Sequence, residues 1–75
     1  MTIAFVLVST KNGREHEVLD ELGGLAQIKE KWLVYGDYDI LLFVETKDID
    51  ELNELIVGNL RAVKSISGTA TLLGI

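Results

Sequence analysis

The chain has 75 residues, no cysteine, and a formal net charge of −5 with an isoelectric point near 4.6. This length predicts one domain near the lower end of what a single core can stabilise, and the lack of cysteine excludes disulfides and cysteine-based metal sites. The acidic balance argues against direct binding of nucleic acid, which needs a basic face. No basic segment leads into a long apolar run, so we expect a cytoplasmic protein with neither a signal peptide nor a membrane span.

The first half of the chain predicts a strand, a helix and a second strand. The β-rich run Ile3–Val8 is ended by the loop sequence STKNG. Arg14–Leu22 has valine and leucine on one side and mostly acidic residues on the other, which is typical of an amphipathic helix. Ala26–Tyr35 alternates more like a strand, and this alternation places Ile28 and Trp32 on the same face.

The second half predicts a strand, a helix and a last strand. Ile40–Thr46 is a short apolar run. Asp48, followed three residues later by Glu51, has the form of a capping box and predicts the start of a helix. Gly58 falls inside that helix, where it costs about 1 kcal/mol relative to alanine. Ser65–Ile75 alternates as a strand, so the element order is βαββαβ.

This order predicts an α+β fold, a ferredoxin-like sandwich with a four-stranded antiparallel sheet and both helices on one face. The usual strand order puts the first and third strands in the middle, and these are the two runs that are apolar on both faces. One set of their side chains packs on the helices, and the other set needs a partner. A small chain without disulfides often gains stability by oligomerising, so we predict a dimer through the sheet faces. A ligand held against the open sheet of a monomer is the alternative.

The stretch WLVYGDYDILLFVE, Trp32–Glu45, contains the candidate site. Its two apolar runs are separated by Gly36–Asp39, so two carboxylates and a phenol lie at a tight connection between strands. The carboxylate of Asp37 or Asp39 could pair with the ammonium of a free amino acid. Backbone N–H groups around Gly36 could bind the carboxylate of that amino acid. The same residue types are common in plain turns, so composition alone leaves a simple hairpin turn open.

Two segments resemble a known family. They are VYGDYDILLFVETKDIDELNELI and, after the second helix, VKSISGTATLLGI. Both resemble the effector-binding domain of the Lrp/AsnC transcription regulators, called the RAM domain, and the resemblance covers essentially the whole chain. The I-P-G-V of the family is replaced here by Val63–Ile66, without its proline and glycine. The residues that match the G-[DE]-[YF]-D loop and the T-x-T of the family are Gly36, Asp37, Tyr38, Asp39, Thr69 and Thr71.

The resemblance implies that these six residues form an amino-acid pocket where subunits meet, in rings built from homodimers. It implies a non-enzymatic module without a cofactor that senses a small amino-acid effector, acting either alone or by joining full-length Lrp/AsnC regulators in rings. Residues 1–75 would be a single RAM domain, a stand-alone protein lacking the helix-turn-helix DNA-binding domain of the family. Thr69 and Thr71 reach such a boundary if they point away from the helices, as their alternation with Ile66, Ala70 and Leu72 suggests.

Two other classes stay open. A small dimeric α/β-barrel enzyme would carry out cofactor-free oxidation in a pocket between sheet and helices, where His, Asn or Trp should converge, and Trp32 is the only such residue on these strands. An ACT-type regulatory domain shares the strand order but uses a Gly-rich turn after the first strand, which STKNG matches poorly. His16 is the only histidine and lies on the polar side of the first helix, so we expect neither a metal site nor a hydrolytic triad.

Overall fold

The computed structural model describes residues 1–74 and contains the predicted order of strands and helices. Its four strands form one antiparallel sheet in the order β2-β3-β1-β4, with both helices packed on one face. The ferredoxin-like fold and the central positions of β1 and β3 are therefore confirmed. The elements are β1 (Thr2–Thr10), α1 (Glu15–Leu22), β2 (Ile28–Leu33), β3 (Ile40–Thr46), α2 (Ile49–Asn53), which continues as a π-helical segment (Glu54–Leu60), and β4 (Ile66–Leu73).

The hydrophobic core lies between the sheet and the two helices. Alternate residues of the central strands point into it, and the register sets them opposite one another, as with Val6 and Leu42. One set of side chains on each central strand thus packs on the helices, as the sequence predicts. The buried apolar residues are Ala4, Val6, Val8, Val18, Leu22, Ile40, Leu42, Val44, Leu52, Leu55, Ile56 and Leu60.

The opposite face of the sheet is also largely apolar, although Glu30 of β2 and Glu45 of β3 lie on it too, and no element within residues 1–74 covers it. Phe5 and Phe43 are paired across β1 and β3, and their ring centroids lie 5.3 Å apart. Trp32 is 42% exposed and Leu72 is 59% exposed. We call this surface the open face, and it also contains Ile3, Leu7, Leu41 and Ala70. The second apolar set that the sequence predicts is present, while the dimer itself stays a prediction.

Strand β2 departs from the predicted alternation. Ile28 stands opposite Val44 on the helix side of the sheet, whereas Trp32 stands opposite Leu41 on the open face. The expectation that Ile28 and Trp32 share a face is therefore wrong. The cause is a shift in register between Ile28 and Glu30, because an extra residue in one strand moves the following side chains to the other face.

From Thr69 to Leu72, strand β4 alternates as predicted but with the opposite orientation. Ile66, predicted on the face of Ala70 and Leu72, instead pairs with Thr10 after a register shift and packs against the core. Thr69 pairs with Val8 in the register, and Thr71 pairs with Val6. Both threonines therefore lie on the helix side, and the expectation that they point away from the helices is wrong. The alternation alone could not decide which face the threonines occupy, because both faces of the neighbouring strand β1 are apolar. In the structure Ala70 and Leu72 lie on the open face. The last predicted strand residue, Ile75, lies outside the described residues.

Helix α2 begins at the predicted capping box. The backbone N–H of Glu51 donates to Oδ1 of Asp48 at 2.9 Å, and the N–H of Lys47 donates to Oε1 of Glu51 at 2.6 Å. The second bond reaches Lys47 rather than the cap residue itself. The N–H of Lys47, before the helix, and the N–H of Glu51, in its first turn, thus both have acceptors, which fixes the start of the helix.

We expect Asp48→Ala to lower the free energy of unfolding by about 1 kcal/mol, because Asp48 accepts the N–H of the first helical turn. Urea unfolding followed by circular dichroism measures this change. Asp48→Asn is the matched control, since asparagine caps a helix about as well as aspartate. Equal losses in both variants would show that charge, not the hydrogen bond, sets the effect.

The sequence predicts one regular helix through Gly58, but its second half is wider. The N–H of Arg61 donates to the carbonyl of Ile56 at 3.0 Å, five residues back, which is the pattern of a π-helix. This segment buries Leu55, Ile56 and Leu60 against the sheet. Arg61 is the residue that caps the end of this wider turn.

Candidate functional site

The hairpin loop between β2 and β3 is closed by its own backbone. The N–H of Val34 donates to the carbonyl of Asp39 at 2.9 Å. Gly36 has φ +116°, a conformation that residues with a Cβ rarely adopt. Within residues 1–74, the N–H groups of Gly36, Asp37 and Tyr38 have no protein acceptor. The loop therefore carries the spare donors that the sequence predicts, and a carboxylate could accept them.

Asp39 binds its own chain. The N–H and the hydroxyl of Thr10 both donate to Oδ2 of Asp39, at 2.8 and 3.2 Å. The N–H of Asp39 donates to the carbonyl of Val8 at 2.9 Å. These bonds fasten the hairpin loop to the end of β1, so one carboxylate oxygen of Asp39 positions the loop. Asp37 is exposed and has no hydrogen-bond partner within the described residues, which leaves it as the free carboxylate of the loop.

A cleft of about 330 Å³ lies between the start of α1 and the hairpin. We call it the hairpin cleft. Two of its side chains carry carboxylates and the others are apolar or aromatic, so it suits a cationic group beside an aliphatic one. Tyr35 at its rim is fully exposed. The lining residues are Glu15, Leu33, Val34, Tyr35 and Asp39.

A second cleft, of about 410 Å³, lies between the end of the π-helical segment and the start of β4. We call it the arginine cleft. Its one charged lining residue is Arg61, and no acidic group within residues 1–74 forms a salt bridge with it. The hydroxyl of Ser67 donates to Oγ of Ser9 at 3.1 Å, which holds that wall to β1. The lining residues are Arg61, Ile66, Ser67, Gly68 and Thr69.

Arg61 and Ser67 were not predicted from the sequence. No residue type in the second helix indicates that it ends in a π-helical turn. A single arginine after a helix is usually an ordinary solvated residue. The one signal was the spacing of a cation six and eight residues before two hydroxyl side chains, Ser67 and Thr69. That spacing has meaning only when the turn between them folds back.

The structure does not bring the six predicted residues into one pocket. The loop precedes β3, the threonines lie on β4, and β1 runs between these strands. Neighbouring strands are about 4.8 Å apart, so about 10 Å separates the two groups within one chain. Both groups nevertheless lie at the same end of the sheet, because Asp39 bonds to Val8 and Val8 pairs with Thr69. Tyr38, Asp39 and Thr69 are half-buried, and Gly36, Asp37 and Thr71 are exposed.

Within residues 1–74 no group of three or more His, Asp or Glu side chains could hold a metal ion. None of the described helices is long and apolar enough to cross a membrane. His16 is exposed on α1, on the polar side that the sequence predicts.

The fold defines a small ferredoxin-like domain with two clefts at one end of its sheet. The family model of the Lrp/AsnC ligand binding domain matches residues 3–74. The chain therefore belongs to the Lrp/AsnC family, as the resemblance predicted, and it is a ligand-binding domain of a family of transcription regulators. The crystal structure of FFRP-DM1 has the same fold, with a TM-score of 0.96 at 36% identity and full coverage of both chains.

Two kinds of larger protein are similar in sequence. The HTH-type transcriptional regulator FL11 of Pyrococcus horikoshii is 32% identical over 71 residues, which are 95% of this chain and 46% of the regulator. A homocitrate synthase of Sulfurisphaera tokodaii is 48% identical over 56 residues, which are 75% of this chain and 12% of the enzyme. The chain thus spans about half of the regulator and a small part of the enzyme. The similarity to the enzyme is confined to that small part.

Proposed function

We propose that this chain is a non-enzymatic regulatory module that senses a free amino acid. The ligand binds at the loop Gly36–Asp39, and Thr69 and Thr71 of a neighbouring subunit complete the pocket. The observation that carries this proposal is the loop itself, in which the carboxylate of Asp37 and the neighbouring backbone N–H groups have no hydrogen-bond partner within residues 1–74. The match to a ligand-binding domain model supports it.

The chemistry of the loop fits both ends of an amino acid. The carboxylate of Asp37 offers a charge-assisted hydrogen bond to the ammonium group. The N–H groups of Gly36 and Tyr38 can donate to the carboxylate, and Gly36 lets the ligand approach because it has no Cβ. A plain turn would need neither the free donors nor the fastening of Asp39 to Thr10.

A neighbouring subunit explains why the predicted residues are apart in one chain. The threonines lie on the far side of β1 from the loop, so a pocket containing both needs a second copy. A homodimer through the open face that assembles into rings supplies such copies. The similarity to FL11 suggests co-assembly with full-length regulators, and we place this activity in the cytoplasm, without DNA binding by this acidic chain itself.

The enzyme alternative is less well supported. Its substrate would lie between the sheet and the helices, but that space is filled by aliphatic side chains such as Leu22, Leu42 and Leu60. Trp32, the one strand residue suited to such chemistry, lies on the open face. A dimeric barrel enzyme would have to work outside the space in which its catalytic groups should converge.

Calorimetry with each of the twenty amino acids tests the proposal. We expect at least one to bind, and Asp37→Asn to weaken its affinity by roughly ten- to hundredfold, since a hydrogen bond to a charged group contributes about 1.5–3 kcal/mol. The thermal stability of the unliganded variant should not change, because Asp37 has no partner within the described residues.

Asp20→Asn is the matched control for this variant. Asp20 is exposed on α1 and lines neither cleft, yet its replacement removes the same charge. Absence of binding by every amino acid to the wild type would contradict the proposed function. Equal affinity of Asp37→Asn and wild type would show that Asp37 does not contact the ligand.

A further inference from the structure

We infer that Arg61 of one copy binds the carboxylate of the amino acid whose ammonium is held by the hairpin loop of the next copy. The ligand would then lie between the arginine cleft of one subunit and the hairpin cleft of its neighbour. This inference rests on the proposed function and deepens it. It adds Arg61 and Ser67 to the ligand-binding residues and fixes the direction in which the ligand lies.

The arginine cleft carries a positive charge that the described residues do not neutralise. The only salt bridge within residues 1–74 joins Arg14 to Glu17 on the exposed side of α1. Arg61 caps the π-helical segment, and the C-terminus of a helix is partially negative, so any attraction for an anion here comes from the guanidinium. A guanidinium binds a carboxylate through two parallel hydrogen bonds, and the hydroxyls of Ser67 and Thr69 can add to these.

The hairpin cleft has the opposite charge. Glu15 and Asp39 line it, Asp37 lies on the adjoining loop, and none of the lining residues within residues 1–74 is a lysine or an arginine. These groups favour an ammonium and repel a carboxylate. The N–H groups of the loop can donate to a carboxylate but carry no full charge. The loop can thus bind both ends of an amino acid through hydrogen bonds, but neither cleft alone places a full opposite charge beside each end.

One chain cannot bring the two clefts to the same ligand. The hairpin cleft lies at the β2 edge of the sheet and the arginine cleft at the β4 edge. Three strand spacings, about 14 Å, separate these edges, whereas the two charges of an amino acid are a few ångströms apart. A second copy removes the difficulty, because the acidic edge of one chain can meet the basic edge of the next.

Such a contact joins two different surfaces of the same chain. Contacts of this kind are heterologous, and they close into a ring or continue as a filament. Glu15 in α1 and Arg61 after the π-helical segment both belong to the helical layer, so the charged side of each cleft remains accessible when the open face is covered. The opposite charges of the two clefts thus indicate that the surface facing each cleft is the other cleft of a second copy of this chain.

Charge reversal tests the contact between copies. We expect Arg61→Glu and Asp37→Arg each to weaken assembly beyond the dimer by at least about tenfold, since like charges then face each other. The double variant Arg61→Glu/Asp37→Arg should restore assembly, because the pair is rebuilt with exchanged signs. Sedimentation velocity at several concentrations, with and without the amino acid that binds most tightly, measures these changes.

Lys47→Glu is the control for charge reversal. Lys47 is exposed and follows β3 at the opposite end of the sheet, so its reversal should leave assembly unchanged. A wild type that does not assemble beyond a dimer would overturn the inference. Single reversals without effect, or a double variant no better than either single one, would also overturn it.

Ligand titration tests the role of Arg61 separately. We expect Arg61→Gln to bind the selected amino acid about ten- to hundredfold more weakly. The variant should bind the amide of that amino acid, which lacks the carboxylate charge, as well as the wild type does. If Arg61→Gln keeps the full preference for the free acid over its amide, the inference is wrong while the proposed function stands. If no amino acid binds the wild type, the proposed function is wrong, and charge reversal alone decides whether the copies meet in this way.

Discussion

Phe43→Glu is expected to abolish the predicted dimer through the open face and leave a monomer. Phe43 lies on the central strand β3 in the middle of the open face, and its ring is tilted by 36° against that of Phe5. An uncovered apolar surface of this kind marks an interaction site in a soluble protein. In a dimer through this face, an unpaired buried carboxylate costs about 3–5 kcal/mol, and two-fold symmetry introduces it twice. The dissociation constant should rise by at least about a thousandfold.

Sedimentation velocity at micromolar concentration shows this change directly. Phe43→Leu keeps the surface apolar and should remain dimeric. Val57→Glu is a second control, because Val57 is 61% exposed on the π-helical segment, away from the open face. Phe43 lies outside the buried core, so circular dichroism should show a folded monomer. A monomeric wild type, or a dimeric Phe43→Glu, would contradict the assignment of the open face as the dimer interface.

The sheet topology could be predicted from the sequence because β1 and β3 are apolar on both faces. Central strands of a sheet that is covered on both sides need such residues, and edge strands do not. The start of α2 was predictable for a local reason, since Asp48 and Glu51 lie within hydrogen-bonding reach along the chain. Both conclusions depend on residue types and short spacings.

The faces of the edge strands could not be predicted in the same way. The shift in β2 between Ile28 and Glu30 is marked by neither glycine nor proline, so the sequence carries no sign that the alternation is broken there. In β4 the alternation separates Thr71 from Leu72 correctly, but it does not say which face is which. That choice depends on the pairing with β1, one face of which packs on the helices while the other belongs to the open face.

The candidate site was predictable in its residue types but not in its internal bonds. The loop Gly36–Asp39 stands where the sequence places it, between β2 and β3. The bond from Asp39 to Thr10 joins residues 29 positions apart, and only the pairing of β1 with β3 brings them together. The sequence therefore assigned Asp37 and Asp39 the same role, whereas their surroundings differ.

That difference leads to a prediction about Asp39. We expect Asp39→Ala to lower the free energy of unfolding by about 1.5–3 kcal/mol, because it removes a charged acceptor and leaves the N–H of Thr10 without a partner. The affinity for the amino acid should fall as well, since the loop is no longer fastened to β1. Asp37→Ala should lower the affinity without lowering the stability.

Urea unfolding and amide hydrogen exchange measure the two effects of Asp39→Ala. Exchange at the Thr10 amide should become faster in this variant, because its acceptor is gone. Asp39→Asn is the matched control, since its side-chain oxygen can still accept the N–H of Thr10, and its loss of stability should be smaller. Thr10→Val removes only the 3.2 Å hydroxyl contact and keeps the 2.8 Å bond from its N–H, so its loss should also be smaller. If Asp39→Ala unfolds at the same urea concentration as the wild type, Asp39 does not position the loop, and its carboxylate is free to bind the ligand.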